Sequence, residues 1–184
     1  CFKMLYFISA CCGKAMFDAK EYKDNPGLSI DERKVNGDAS EAGILKFAEK
    51  IRPVAEFRVA NGEVMTIPFN STNKFMITCN KISELPGQLR LCMKGAPERV
   101  MDQCSHILTS AGITAFDASQ KDVINEQLSC VMEKGERVLG FAMRDLDTTL
   151  YPENFEFNTD EPNFPMEGLT FVGLISLLDP PRES

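Results

Sequence analysis

A chain of 184 residues with 43% hydrophobic and 26% charged residues is long enough and apolar enough to bury one sizeable core. Its formal net charge of −7 excludes the broad basic face of a nucleic-acid binder, so any anionic ligand must be held by a local cluster of lysine and arginine. Seven cysteines, at positions 1, 11, 12, 79, 92, 104 and 130, lack the spacing of a zinc site and stand beside one histidine, His106, which fits free thiols in a reducing compartment.

In chain order, Cys1 to Phe17 is apolar and predicts a buried helix, interrupted near Gly13 and Lys14. The polar stretch Glu21 to Asn36 follows, with Asn25-Pro26-Gly27 as a turn signal. Asp38 to Ile51 predicts a helix whose Ile44, Phe47, Ala48 and Ile51 share one face, ended by Pro53. Val64–Phe69, Lys74–Asn80 and Leu89–Met93 predict an antiparallel meander, since Asn70-Ser71-Thr72-Asn73 and Pro86-Gly87 separate them. A helix from Pro97 is expected after Gly95, and His106 is expected at a helix end. Ser119 to Lys134 predicts a second amphipathic helix, with Ser119 and Asp122 in cap spacing. Arg137–Asp145 predicts a strand, Asp147–Glu167 a long surface loop, and Leu169–Leu178 a buried strand that Asp179-Pro180-Pro181 cannot continue. Leu169–Leu178 is too short to cross a bilayer as a helix, which takes about 20 residues. The absence of an initiator methionine and the abrupt end at Ser184 suggest a piece of a longer protein.

Neither a G-x-x-x-x-G-K-[ST] loop nor a G-x-G-x-x-G fingerprint occurs in the chain, so the usual glycine-rich phosphate cradles are excluded. Candidate groups are therefore side chains. Lys94-Gly95-Ala96-Pro97 puts a cation at a strand end, beside a glycine that permits close backbone approach and a proline suited to a first helical turn. It reads equally well as an ordinary strand-to-helix connection. In Gly37-Asp38-Ala39-Ser40-Glu41, Asp38 is a helix cap and Glu41 either completes it or accepts from an exocyclic amine such as adenine's. Phe69, at a strand end before a polar turn, is a core aromatic or a stacking platform, and Lys74 is a surface lysine or a neighbour of the same pocket. Arg137, opening a strand, is a surface ion-pair partner or a two-pronged phosphate ligand.

Taken in order, the motifs at 37–41, 68–74, 94–99, 135–141 and 179–182 resemble the nucleotide-binding domain of P-type cation-transporting ATPases. Phe69 to Lys74, Asn163-Phe164-Pro165 and Phe171 to Ser176 are most similar to the sodium/potassium and proton/potassium pump α-subunits. The resemblance implies an α+β fold: a twisted, mostly antiparallel β-sheet flanked by helices, with residues 1–178 as the domain and 179–184 as the hinge toward a phosphorylation domain. By the same resemblance Phe69 stacks on adenine and Glu41 borders the base. Lys74 and Lys94 line the pocket, Gly95 allows close approach, Arg137 reaches the phosphates and Leu139 packs on the nucleotide. Asp179 and Pro180 mark the hinge.

The resemblance also implies ATP as ligand, with Mg2+ in the full-length enzyme. It implies phosphorylation and actuator domains in the same full-length chain, a β-subunit beside it, and a place on the cytosolic face of a plasma-membrane pump. Phe75 and Met76 stand where the similar pumps have tyrosine and glutamine, so a polar contact near the base is missing. The D-K-T-G-T motif of the phosphorylated aspartate is absent, so this chain is not expected to hydrolyse ATP by itself. A degenerate interaction domain that kept the fold and lost the ligand is the competing reading.

Overall fold

A computed structural model describes residues 1–25 and 27–178. In chain order its elements are α1 (Phe2–Cys11), β1 (Met16–Phe17), α2 (Ala19–Asp24), β2 (Val35–Asn36), α3 (Ala39–Ile51), α4 (Val54–Ala60) and β3 (Glu63–Ile67). β4 (Phe75–Lys81), β5 (Leu89–Gly95), α5 (Pro97–Asp102), β6 (Cys104–Thr109) and β7 (Gly112–Ala115) follow, then α6 (Ala118–Met132), β8 (Arg137–Asp145) and β9 (Leu169–Leu177). Seven strands form one sheet in the order β3-β4-β5-β8-β9-β6-β7, antiparallel throughout except for the β6–β9 pair. The expected α+β fold, a mostly antiparallel sheet flanked by helices, is what forms.

Side chains alternate across this sheet, as the two-residue strand period requires. Met76, Cys92, Phe141 and Met143 face a core built with α1, α3 and α4. Their neighbours Ile77, Leu91, Met93 and Ala142 face a second core, with Val100 and Met101 of α5 and Phe116, Phe164 and Phe171. Because both faces are covered, β4 and β5 are buried almost end to end, which is why they read as apolar runs.

Several expected boundaries move. The first helix stops at Cys11, not Phe17: the Arg58 side chain takes the Ala10 carbonyl at 2.6 Å, and the Glu41 carboxylate takes the N–H groups of Lys14 and Ala15. Met16–Phe17 then pairs with Val35–Asn36 in a small separate sheet. The segment read as a polar connection thus contains a capped helix, α2, whose first N–H groups donate to Asp18, and the strand β2. Pro26 of its turn signal lies outside the described residues.

Pro53 ends α3 and also starts α4, which sequence reading missed; the Val54 N–H donates to the Glu49 carboxylate at 2.8 Å. α6 is capped by Asp117 with Gln120, two residues ahead of the expected Ser119 and Asp122. His106 sits on β6, in a hairpin with β7, and not at a helix end. The loop 147–167 carries neither helix nor strand, and successive edge-to-face contacts among Tyr151, Phe155, Phe157 and Phe164 tie it down.

Candidate functional site

β5 presents Arg90, Cys92 and Lys94 on one face, and α1 lies along that face. The Phe7 ring lies 4.9 Å from the Arg90 guanidinium, the Cys12 thiol donates to the Cys92 carbonyl at 3.6 Å, and Gly13 comes close to the Lys94 ammonium. Past the C-terminal end of α1, around Lys94, a cavity of about 310 Å³ opens. Glu41, Phe69, Lys94, Gly95, Arg137 and Leu139 line it, joined by Asp38, Ser40 and Met76. Six of the seven binding residues expected from sequence therefore meet around one space, from α3, β5, β8 and the β3–β4 loop.

Glu41 is held by its helix: its own N–H donates to Asp38 Oδ1 at 2.9 Å in the α3 cap. Its carboxylate accepts from Lys94 Nζ at 2.8 Å, from the Lys14 N–H at 3.1 Å and from the Ala15 N–H at 3.0 Å. Most of the acceptor capacity of the carboxylate is thereby taken. Its evident work is to orient the lysine and pin the turn after α1. Lys94 is only 7% exposed, and the Glu41 carboxylate is its ion-pair partner. The Cys12 thiol behind it is pushed up to about 11 by burial, against the opposing pull of the Lys94 charge.

Gly95 is required by its own chain before any ligand is considered. It pairs with Phe75 across β4–β5, and a Cβ there would collide with the Lys74 carbonyl and the Phe75 backbone. Lys74, the seventh expected residue, does not line the cavity. It is exposed at the turn into β4, with φ 59; its N–H donates to the Asn70 carbonyl and its carbonyl accepts from the Ala96 N–H. That turn is braced by Asn70 Oδ1, which accepts from the N–H groups of Thr72 and Asn73. It follows directly on Phe69, whose ring is 61% exposed at the rim of the cavity and free of the core. Arg137 Nη1 donates to Ser40 Oγ at 2.7 Å, linking the start of β8 to the first turn of α3.

Sequence reasoning missed Ser40 as the seat of Arg137, and Arg58. The latter holds two carbonyls, of Ala10 and Ala15, and so fixes both sides of the α1–β1 turn. Burial pushes the Arg58 guanidinium below its ordinary value. No spacing in the sequence marks it. Chemically, the site offers an exposed aromatic face, one buried ammonium and one exposed guanidinium around a half-open space. It contains no nucleophile beside a base. Among the described residues no group of three or more His, Cys, Asp or Glu is placed to hold a metal ion, and no helix is long and apolar enough to cross a membrane. Asp179 and Pro180, expected as the hinge, lie outside the described residues.

Sequence comparison bears on all of this chain. The sequence model for the "P-type ATPase, cytoplasmic domain N" matches residues 1–184. The chain is 41% identical over 182 residues to the sodium/potassium-transporting ATPase subunit alpha-A of Artemia franciscana, covering 98% of this chain and 18% of that protein. It is 40% identical over 176 residues to the alpha-2 subunit of Homo sapiens, covering 95% and 17% respectively. With the alpha-1 subunit of Oreochromis mossambicus the identity is 42% over 178 residues, covering 95% and 17%. The chain thus spans less than a fifth of the length of these relatives. Fold, sequence match and relatives agree: the chain belongs to the family of the cytoplasmic N domain of P-type ATPases.

Proposed function

We propose that residues 1–178 form an ATP-binding domain of a sodium/potassium-ATPase-like α-subunit, which presents the γ-phosphate to an aspartate outside this chain. The observation that carries the reading is the convergence of Phe69, Lys94, Gly95, Arg137 and Leu139 on one cavity from segments far apart in sequence. The exposed Phe69 ring stacks on adenine, an interaction worth about 1 to 3 kcal/mol on comparable aromatic platforms. Leu139 and Met76 supply the apolar wall, and Glu41 borders the base while keeping the Lys94 charge directed into the cavity. Arg137, the exposed guanidinium on β8, reaches the phosphates. Lys74 acts from the rim.

In this reading the chain supplies placement alone. In-line phosphoryl transfer needs nucleophile, metal and γ-phosphate aligned. The described residues form no metal cage, so Mg2+ is not assigned to them. The phosphorylation and actuator domains of the full-length chain, a β-subunit, transport of sodium and potassium, and a place at the cytosolic face of the plasma membrane belong to the same proposal. So does a hinge at residues 179–184.

A second reading, an interaction domain that kept the fold and lost the nucleotide, is favoured by Met76, which puts a thioether on the cavity wall where the similar pumps carry a polar side chain. Titrating ATP to millimolar concentration while following backbone amide NMR shifts separates the two. The ATP reading expects shifts near Phe69, Lys94 and Arg137, and about a tenfold loss of affinity in Phe69→Ala. Silent amides, or a Phe69→Ala variant with unchanged affinity, support the second reading instead.

A further inference from the structure

We propose that a second cavity, beside the first half of α1, is a binding site for a small apolar monocarboxylate. It encloses about 500 Å³, within the range of small-molecule pockets, and lies toward the opposite end of β5 from Lys94. Its walls are mainly apolar: Tyr6 and Phe7 of α1, Phe57 of α4, and Ile82 and Leu85 of the β4–β5 connection. Arg90, 6% exposed, also borders it.

The hydrogen bonding of Arg90 is incomplete on that side. Its Nε and Nη2 donate to the two Asp145 oxygens at 2.5 and 2.8 Å. Its Nη1 is directed at the Met4 thioether sulfur, 3.1 Å away. A guanidinium has five N–H donors and a thioether is a weak acceptor, so donor capacity remains at Nη1 in a setting where leaving it unmet is costly. A carboxylate oxygen of a bound ligand supplies the missing acceptor, with the guanidinium fixed in place by Asp145 and by the Phe7 ring.

Charge at the mouth selects the ligand class. Lys3 and Arg52 stand at the rim with Glu84, while Asp145 already balances much of Arg90. The surplus of positive charge is small, which suits a single carboxylate better than a phosphate dianion. The aromatic and aliphatic walls suit an apolar body, with Phe57 further ordered by the Arg52 guanidinium 5.2 Å from its ring.

The test uses the 184-residue chain with 2-naphthoate as probe and 2-naphthalenemethanol as its neutral counterpart, read by amide and methyl NMR shifts. Naphthoate is expected to bind about tenfold more tightly than the alcohol, as befits a hydrogen bond to a charged group. Shifts are expected at Phe7, Ile82 and Leu85, persisting in excess ATP. Arg90→Gln should bring acid and alcohol to equal affinity. Because that change also frees Asp145, Arg52→Gln, at an exposed position, serves as a second variant and should weaken naphthoate about threefold more than the alcohol, whose own loss reports the Phe57 contact, at the screening expected near a surface. Equal affinity for acid and alcohol in the unaltered chain, shifts confined to Phe69 and Arg137, or no response of naphthoate to Arg52→Gln would overturn the proposal. Its outcome is independent of the ATP experiment, which reads the other cavity.

Discussion

The two ends of β5 carry the same device with different consequences. Arg90 and Lys94 lie on one face of the strand, about 13 Å apart at the usual rise per residue. Each is nearly buried and each meets a carboxylate. Glu41, however, also gathers two backbone N–H groups and sits in a helix cap, so the lysine end is locked into the surrounding chain. Asp145 is 43% exposed and makes its contacts to Arg90 alone among the hydrogen bonds described. The pair distances are similar, so what distinguishes the two ends is how the carboxylate itself is anchored.

The strongest way to break both ends together is alkali. Burial pushes Cys11, Cys79 and Cys104 up to about 12 and Cys12 up to about 11, and it raises Cys92, between the two pairs, well above its usual value. In the unfolded chain a thiol ionises near about 8.5. The native state therefore keeps protons that the unfolded state releases. Stability from these thiols is complete below about pH 8.5 and is lost as pH climbs toward 12. Urea midpoints measured by circular dichroism at rising pH should fall through that window; a flat profile to about pH 11 contradicts the burial argument.

Glu41→Ala discriminates between the ends. It orphans a buried ammonium and two backbone donors and should cost about 3 kcal/mol in urea unfolding, at unchanged slope. Adding Lys94→Met should recover part of this, because the unpaired charge is then gone. Asp145→Ala should cost only about 1 kcal/mol, since water reaches the half-open site and replaces the carboxylate. Equal losses for the two single variants would mean that anchoring of the carboxylate is not what distinguishes them.

Much of this arrangement was legible beforehand, for identifiable reasons. The run Arg137 to Asp145 predicts β8 with its observed ends because a glycine turn bounds it before and the polar loop after. The helix 39–51 was legible from Ile44 and Ala48 on one face with Asp38 as cap. The β6–β7 hairpin was not, because it lies at the sheet margin, where Ser105, His106 and most of β7 are exposed and no alternation survives. α4 is hidden because Pro53 ends one helix and starts the next, and a proline signals either role. Around the cavity, residue types foretold the lining, but the commitment of Glu41 to Lys94, 53 positions away, is set by packing. Arg90 was invisible for the same reason: an arginine within an apolar strand does not announce a partner 55 positions on.

The placement of β8 beside β5 has a further consequence, for the order in which the chain can assemble. Gly95 pairs with Gly140 and Arg90 with Asp145, so the middle of the sheet closes across an intervening hairpin and two helices, α5 and α6. Such non-local pairing pays its loop-closure entropy before its contacts repay it. While a nascent chain has emerged only as far as α6, Lys94 has its glutamate but the cavity lacks the wall that Arg137 and Leu139 provide. The earlier segments are thus a scaffold in waiting, and the site comes into being when β8, residues 137–145, pairs along β5.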